Sequence, residues 1–250
     1  MTAAAIDARG LGKDFGAIRA LDALDLEVRE AEFFGLLGPN GAGKTTTIHL
    51  LATLLRPTRG TALVAGYDVV REDLETRRRI GLVFQETTLD RDLTVEQNLR
   101  FAARLWNLPG RLAGPRIDGL LGQFGLRERR RDAVRTLSGG LRRALDIARG
   151  LLHEPRVLFL DEPTAGLDPR ARRSLWELIQ RLRSASGLTV LLTTHYVEEA
   201  EPCDRVAVLD GGRLAALGTP AELKRAAGVS SLEAVFLART GHALGESSAA

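Results

Sequence analysis

The sequence predicts an α/β fold organised around a largely parallel sheet with helical crossovers. Short, continuous apolar runs at 33–37, 80–84, 157–160, 189–193 and 206–209 have the length and composition of strands buried on both faces. Helical patterns occupy the stretches between them. The first run also feeds directly into a glycine-rich loop that opens a helix, a strand–loop–helix order typical of parallel sheets.

In chain order, Leu24, Leu26 and Val28 alternate with Asp25, Glu27 and Arg29, the period-two pattern of a half-buried strand. The run 33–37 is followed by Gly38-Pro39-Asn40-Gly41-Ala42-Gly43 and by a helix expected from Lys44 to about Leu55. Between about residues 86 and 152 the pattern is almost wholly helical, with main segments at 94–106, 116–124 and 139–152, and reads as an inserted helical subdomain. Pro109, Gly110, Gly114 and Pro115 mark a break inside it, and Gly125 another. The small, polar tail 245–250 is expected to be mobile.

Composition excludes several classes. Hydrophobic residues are 44% and charged residues 27% of 250, ordinary values for a globular chain with one large core. No apolar stretch approaches the roughly 18 residues of a membrane span, and residues 1–10 lack the basic and apolar regions of a secretory signal, so an intracellular protein is expected. The single cysteine, Cys203, can form no intrachain disulfide and reads as a structural residue. Arginine-rich stretches at 77–79 and 127–131 are interleaved with Glu72, Asp73, Glu75, Glu128 and Asp132, so they read as solvated faces and no nucleic-acid partner is expected. Lysine occurs only at Lys13, Lys44 and Lys224. One of these three lies in the glycine-rich loop, where a compact ammonium and a guanidinium are not interchangeable.

Residues 38–46 read Gly-Pro-Asn-Gly-Ala-Gly-Lys-Thr-Thr and satisfy the P-loop pattern in its required context, after a strand and before a helix. The glycines let successive backbone N–H groups turn toward one anion, and the helix adds the positive end of its dipole, so phosphates are the natural ligand. In that chemistry Lys44 reaches the β- and γ-phosphates, the Thr45 hydroxyl ligates Mg²⁺, and Thr46 meets the α-phosphate region. The run 157–160 ends in Asp161-Glu162 at the carboxyl end of a strand, where open parallel sheets bind ligands. Asp161 suits a Mg²⁺ carboxylate, and Glu162 a base for the attacking water. Leu137-Ser138-Gly139-Gly140 precedes a long helix carrying Arg142 and Arg143. Alone it is a serine N-cap with permissive glycines, but it also forms a second anion site that the P-loop does not need.

The order P-loop, Gln85, Leu137-Ser138-Gly139-Gly140, Asp161-Glu162, Asp168 and His195 resembles the ABC ATPase family. The resemblance spans about residues 5–225, leaving 226–250 as a short C-terminal extension, and it rests most heavily on the Leu-Ser-Gly-Gly segment. It implies a P-loop NTPase core with an antiparallel β subdomain and an inserted helical subdomain. It further implies ATP and Mg²⁺ as cofactors and a head-to-tail pairing with a second copy, in which Ser138, Gly139 and Gly140 cap the ATP held by the opposite P-loop. By the same resemblance Phe15 stacks on adenine, and Gln85 contacts Mg²⁺ and the attacking water. Asp168 joins the two active sites, and His195 hydrogen-bonds the γ-phosphate and positions Glu162. From the residues alone Phe15 can equally be core, Gln85 a polar strand end, Asp168 a helix cap before Pro169, and His195 a loop histidine. His49, His153 and His242 carry no partner pattern.

Two positions depart from the family pattern. Leu141 stands where glutamine is usual after the second signature glycine, which removes a polar contact, and Phe15 stands where tyrosine is common, which keeps the π-face. Residues 94–99, the segment 194–200 and residues 231–236 are similar to the daunorubicin-type multidrug exporter branch. That likeness implies a separate membrane permease as partner, a peripheral position on the cytoplasmic face of the membrane, and a drug, lipid or polyketide-like cargo. An importer ATPase and a non-transport ABC ATPase are the alternatives. In the family a permease helix docks beside Gln85, which makes residues 86–106 the candidate contact surface, with Leu89, Leu93 and the loop at Asp90, Arg91 and Asp92 foremost.

Overall fold

The computed structural model describes residues 4–241, apart from the side chains at 183–186. The tail at 245–250 and His242 lie outside the described residues. Two sheets form the body. β1 (Ala4–Phe15), β2 (Ile18–Arg29), β4 (Arg59–Val64) and β5 (Tyr67–Asp68) make an antiparallel sheet in the order β2-β1-β4-β5. β3 (Phe33–Leu37), β6 (Ile80–Val83), β7 (Val157–Asp161), β8 (Thr189–Thr194), β9 (Arg205–Asp210) and β10 (Arg213–Gly218) make the second, ordered β10-β9-β3-β8-β7-β6. Only β10 runs antiparallel there.

The continuous apolar runs are buried on both faces, as their composition requires. Along β7, Val157 and Phe159 join the core beneath the antiparallel sheet, while Leu158 and Leu160 join the core beneath the helices. β2 buries Leu24, Leu26 and Val28 and exposes the residues between them, the half-buried strand read from the alternation. β1 is harder to see in the sequence. Its register against β2 shifts between Ala8 and Leu11, where Gly10 adopts φ +56°, so a bulge breaks the alternation.

Between β6 and β7 the chain is helical: α3 (Val95–Leu105), α4 (Gly110–Gln123) and α5 (Gly139–Leu151), with two 3-10 turns before α5. Thr94 caps α3 through a full capping box with Gln97. The break expected at 109–115 is instead the start of α4, with Pro109 at its N-cap and Pro115 in its second turn. One helical hydrogen bond is lost at Pro115, but burial of Ile117 and Leu121 against the helical core holds the segment helical. α1 (Lys44–Leu51) is shorter than expected. Thr53 turns to φ +64° and the N–H groups of Leu54 and Leu55 both reach back to the His49 carbonyl, which closes the helix four residues early.

α2 (Asp73–Arg79) carries the first arginine stretch on an exposed face, with Arg77 paired to Asp73 and Arg78 to Glu75, as a solvated surface should be. α6 (Pro169–Ser186), α7 (Val197–Ala200), α8 (Pro220–Ala227) and α9 (Leu232–Thr240) complete the chain. α9 buries Leu232, Val235 and Phe236 in the helical-side core. Cys203 is buried against Gly35, where a Cβ would come within 3.0 Å of its sulfur, which fits a packing role. Among the described residues no helix is long and apolar enough to cross a membrane.

Candidate active site

The carboxyl ends of β3, β8, β7 and β6 lie side by side, and each delivers one part of the site. From β3 comes the loop 38–43 and α1. Gly43 holds φ +97°, and a Cβ there would stand 2.7 Å from the Ala20 carbonyl, so only glycine lets the loop turn into the helix. α1 has no side-chain cap, so its first-turn N–H groups remain available to an anion. They border a cavity of about 420 Å³ lined by Ala20, residues 40–46, Gln85 and Glu162.

The Lys44 side chain is buried at the floor of this region. Its Nζ donates to the Gly38 and Pro39 carbonyls at 2.8 and 3.0 Å and lies 3.4 Å from Glu162 Oε1. Burial pushes the Lys44 ammonium pKa down, and the Glu162 and Asp161 carboxylates oppose that push. An ammonium so placed, buried and in contact with one carboxylate, is primed for further negative charge.

From β7 come Asp161 and Glu162. Asp161 Oδ1 accepts from Thr45 Oγ1 at 3.2 Å and from Thr193 Oγ1 at 2.5 Å, so the Thr45 hydroxyl and the Asp161 carboxylate meet at one point. Thr193 in turn accepts from the Glu162 N–H at 3.0 Å. Glu162 has φ +42°, an unusual backbone for a non-glycine residue that persists only where neighbours fix it. His195, after β8, places Nδ1 3.1 Å from Glu162 Oε2, within ion-pair range though outside hydrogen-bond geometry. Thus Lys44, Thr45, Asp161, Glu162 and His195 form one contact chain, and Gln85, exposed after β6, lines the same cavity. The donor set at Thr45, Asp161 and Gln85 is all oxygen or amide, suited to a hard cation such as Mg²⁺.

The remaining expected residues lie elsewhere. Phe15 sits at the exposed end of β1 with Lys13 Nζ 5.1 Å from its ring centre, outside the cavity lining. Ser138 caps α5, accepting from Leu141 N–H at 3.4 Å, and Asp168 caps α6, accepting from Ala171 N–H at 2.9 Å. Ser138, Gly140, Leu141 and Asp168 line a second groove of about 630 Å³ that shares no residue with the first. Close packing explains the two glycines: a Cβ on Gly139 would meet Leu167 at 3.3 Å, and one on Gly140 would meet Ala171 at 3.1 Å. The sequence reading missed Thr193, which ties Asp161 to the Glu162 backbone. Its only signal was a hydroxyl near the carboxyl end of a strand neighbouring β7.

Comparison with known proteins identifies the family. The family model described as ABC transporter matches residues 21–165. The daunorubicin resistance ATP-binding protein DrrA3 of Streptomyces coeruleorubidus is 49% identical over 237 residues, covering 94% of this chain and 75% of that one. Among solved structures, cbiO1 from Clostridium perfringens, part of the ABC transporter complex cbiONQ, superposes with a TM-score of 0.82 at 29% identity over 89% of this chain and 91% of that one. A dimeric post-hydrolysis state of the ATP-binding cassette MJ0796, bound to ADP and Pi, gives a TM-score of 0.76 at 27% identity over 86% and 98%. A P-loop closed by two adjacent carboxylates, a capped Leu-Ser-Gly-Gly helix and these likenesses lead to one conclusion: the chain belongs to the ABC transporter family, as an ATP-binding and ATP-hydrolysing subunit.

Proposed function

We propose that the chain binds and hydrolyses MgATP at a head-to-tail interface between two copies and thereby drives export of a drug-like, lipid or polyketide-like compound through a separate permease. The observation that carries this reading is the division of the site. The phosphate-binding residues, Gln85 and Glu162 share one cavity, with Asp161 and His195 in contact with its lining through Thr45 and Glu162, while the Ser138–Asp168 groove is separate from it. Pairing two copies head to tail would bring the groove of one to the cavity of the other, and the relative solved with ADP and Pi is dimeric. The export direction and cargo class follow from the likeness to a daunorubicin resistance protein. A peripheral position on the cytoplasmic membrane face follows from the need for a permease.

In this reading the first-turn N–H groups of α1 and the Lys44 ammonium hold the β- and γ-phosphates, and Phe15 stacks on the adenine. Thr45, Asp161 and Gln85 hold Mg²⁺, which when bound neutralises phosphate charge. Glu162 accepts the proton of the water that attacks the γ-phosphorus, and ADP leaves. His195 steadies the Glu162 carboxylate and donates to the γ-phosphate. Ser138, Gly139 and Gly140 cap the γ-phosphate of the partner copy, and Asp168 links the two sites. Chelation by EDTA is expected to stop hydrolysis, with full recovery on adding Mg²⁺. Hydrolysis that persists in EDTA would remove the metal from the scheme.

The permease contact is proposed on residues 86–106. Leu89 is buried in the helical-side core, so apolar contact falls to the half-buried Leu93 and to Phe101, Leu105 and Trp106, which are exposed. The loop beside them is ordered from within: Asn98 donates to the Asp90 carbonyl and accepts from the Asp90 N–H. Arg91 and Asp92 are exposed, and Asp92 pairs with the also exposed Arg135, an ion pair worth at most about 1 kcal/mol. Charge reversal at both residues is therefore expected to leave basal ATPase activity nearly unchanged. The same variant should lose co-purification with the permease and ATP-driven efflux into inverted vesicles. Retention of both assembly and efflux would place the docking site elsewhere. Failure of any permease to co-purify with the parent chain would overturn the exporter reading.

A further inference from the structure

One buried cation has no part in the scheme above, yet it touches the backbone of both catalytic loops. Arg143, on the second turn of α5, is 6% exposed. Its Nε donates to the Pro163 carbonyl at 2.6 Å. Its Nη2 donates to the Asp161 and Glu162 carbonyls at 2.9 and 3.2 Å. Its Nη1 donates to the Phe84 carbonyl and, at 3.4 Å, to that of Gln85. A guanidinium carries five N–H donors in a rigid plane, and here five carbonyls from two separate segments surround it. The counter-charge comes from Asp146, one turn along α5, at 4.0 Å. Asp146 also pairs with Arg149 at 2.7 Å, and Arg149 donates to the carbonyl and hydroxyl of Thr88. Residues 143, 146 and 149 thus form one polar ridge of α5, laid along residues 84–88 and across the end of β7.

We infer that Arg143 is a positioning residue for ATP hydrolysis: it fixes the backbone at Gln85 and Glu162, and it joins both to the helix that Ser138 caps. The inference rests on the roles proposed for Gln85 and Glu162. Glu162 holds φ +42°, a conformation that surroundings must impose, and its carbonyl and those on either side of it are three of the five acceptors. None of the Arg143 hydrogen bonds reaches residues 38–46, so the phosphate loop is expected to keep its shape without it. Lysine does not replace it, because an ammonium with three donors cannot serve all five carbonyls at once.

The test is steady-state hydrolysis by the whole chain carrying Arg143→Gln or Arg143→Lys, with ATP affinity and thermal unfolding measured on the same preparations. The expected result is a kcat at least about tenfold lower in both variants, with KM and ATP affinity within about twofold of the parent. A parallel rise in KM overturns the inference, since the residue would then support the nucleotide site as a whole. Recovery of kcat by lysine to within twofold also overturns it, because charge alone would suffice. If neither variant folds, Arg143 is a stability residue and the positioning role fails. Glu162→Gln run alongside separates the two readings. If it leaves hydrolysis intact, the Glu162 assignment is wrong. If it stops hydrolysis while Arg143→Gln does not, only the present inference falls.

Discussion

Lys44→Ala is expected to abolish measurable ATP binding while the chain stays folded. The ammonium is buried and makes two bonds to loop carbonyls and one ion pair with Glu162. Charge-assisted hydrogen bonds contribute about 1.5–3 kcal/mol each, so losing the group that meets two phosphates raises the dissociation constant by a factor on the order of 10² or more. A second effect adds to the first. Without Lys44, Glu162 remains buried in the cavity without its ammonium partner and repels the incoming phosphates. The folded state loses two charge-assisted bonds, about 3–6 kcal/mol in all, partly offset because an ammonium no longer has to be buried, against the 5–15 kcal/mol that holds a typical domain. Titration calorimetry with ATP and a thermal melt on the same sample read the two quantities separately. An unchanged ATP affinity in a folded variant would remove the P-loop from the nucleotide site.

The parts of this fold that were legible share a physical cause. Strands buried on both faces must be continuously apolar, so β3, β7, β8 and β9 stand out within a residue or two of their ends. The phosphate loop and the carboxylate pair are also local patterns, set by what an anion and a cation require within a few residues. What escaped is non-local. β1 is masked by its bulge at Gly10, and Pro115 reads as a breaker although tertiary burial keeps α4 intact around it. The site behaves in the same way. Thr193 and Arg143 act through bonds to residues about 20 to 60 positions away, and a backbone carbonyl leaves no mark in a sequence. A charge every third residue at 143, 146 and 149, on a helix whose other charged residue is Arg142, was the available hint. Phe15, Ser138 and Asp168 form a third case, because the structure places them away from the phosphate cavity and their proposed roles require nucleotide or a second copy.

Glu162→Gln is expected to lower the hydrolysis rate by a factor on the order of 10² or more, the usual contribution of a positioned general base. The amide keeps the size and shape of the side chain but cannot accept the proton of the attacking water. Its backbone, held by Thr193 at the N–H and Arg143 at the carbonyl, is untouched by the change. Nucleotide affinity should be kept or increased. The carboxylate that now lies 3.4 Å from Lys44 is gone, which leaves more of the ammonium charge to the phosphates and removes a nearby negative charge. Binding without turnover has a structural consequence. If the Ser138 groove of one copy closes on the ATP of the other, an enzyme that cannot hydrolyse remains closed. The variant should therefore run as a dimer on size-exclusion chromatography with ATP, with Mg²⁺ present or omitted, and as a monomer without nucleotide. Adding Ser138→Arg, whose bulk and charge fill the groove rim, should abolish that dimer while leaving ATP affinity at the P-loop within a few-fold. Hydrolysis within a few-fold of the parent would show that Glu162 is not the base. A silent base substitution with no dimer at any nucleotide concentration would instead count against the head-to-tail pairing, since the cavity and the groove would then have no reason to meet.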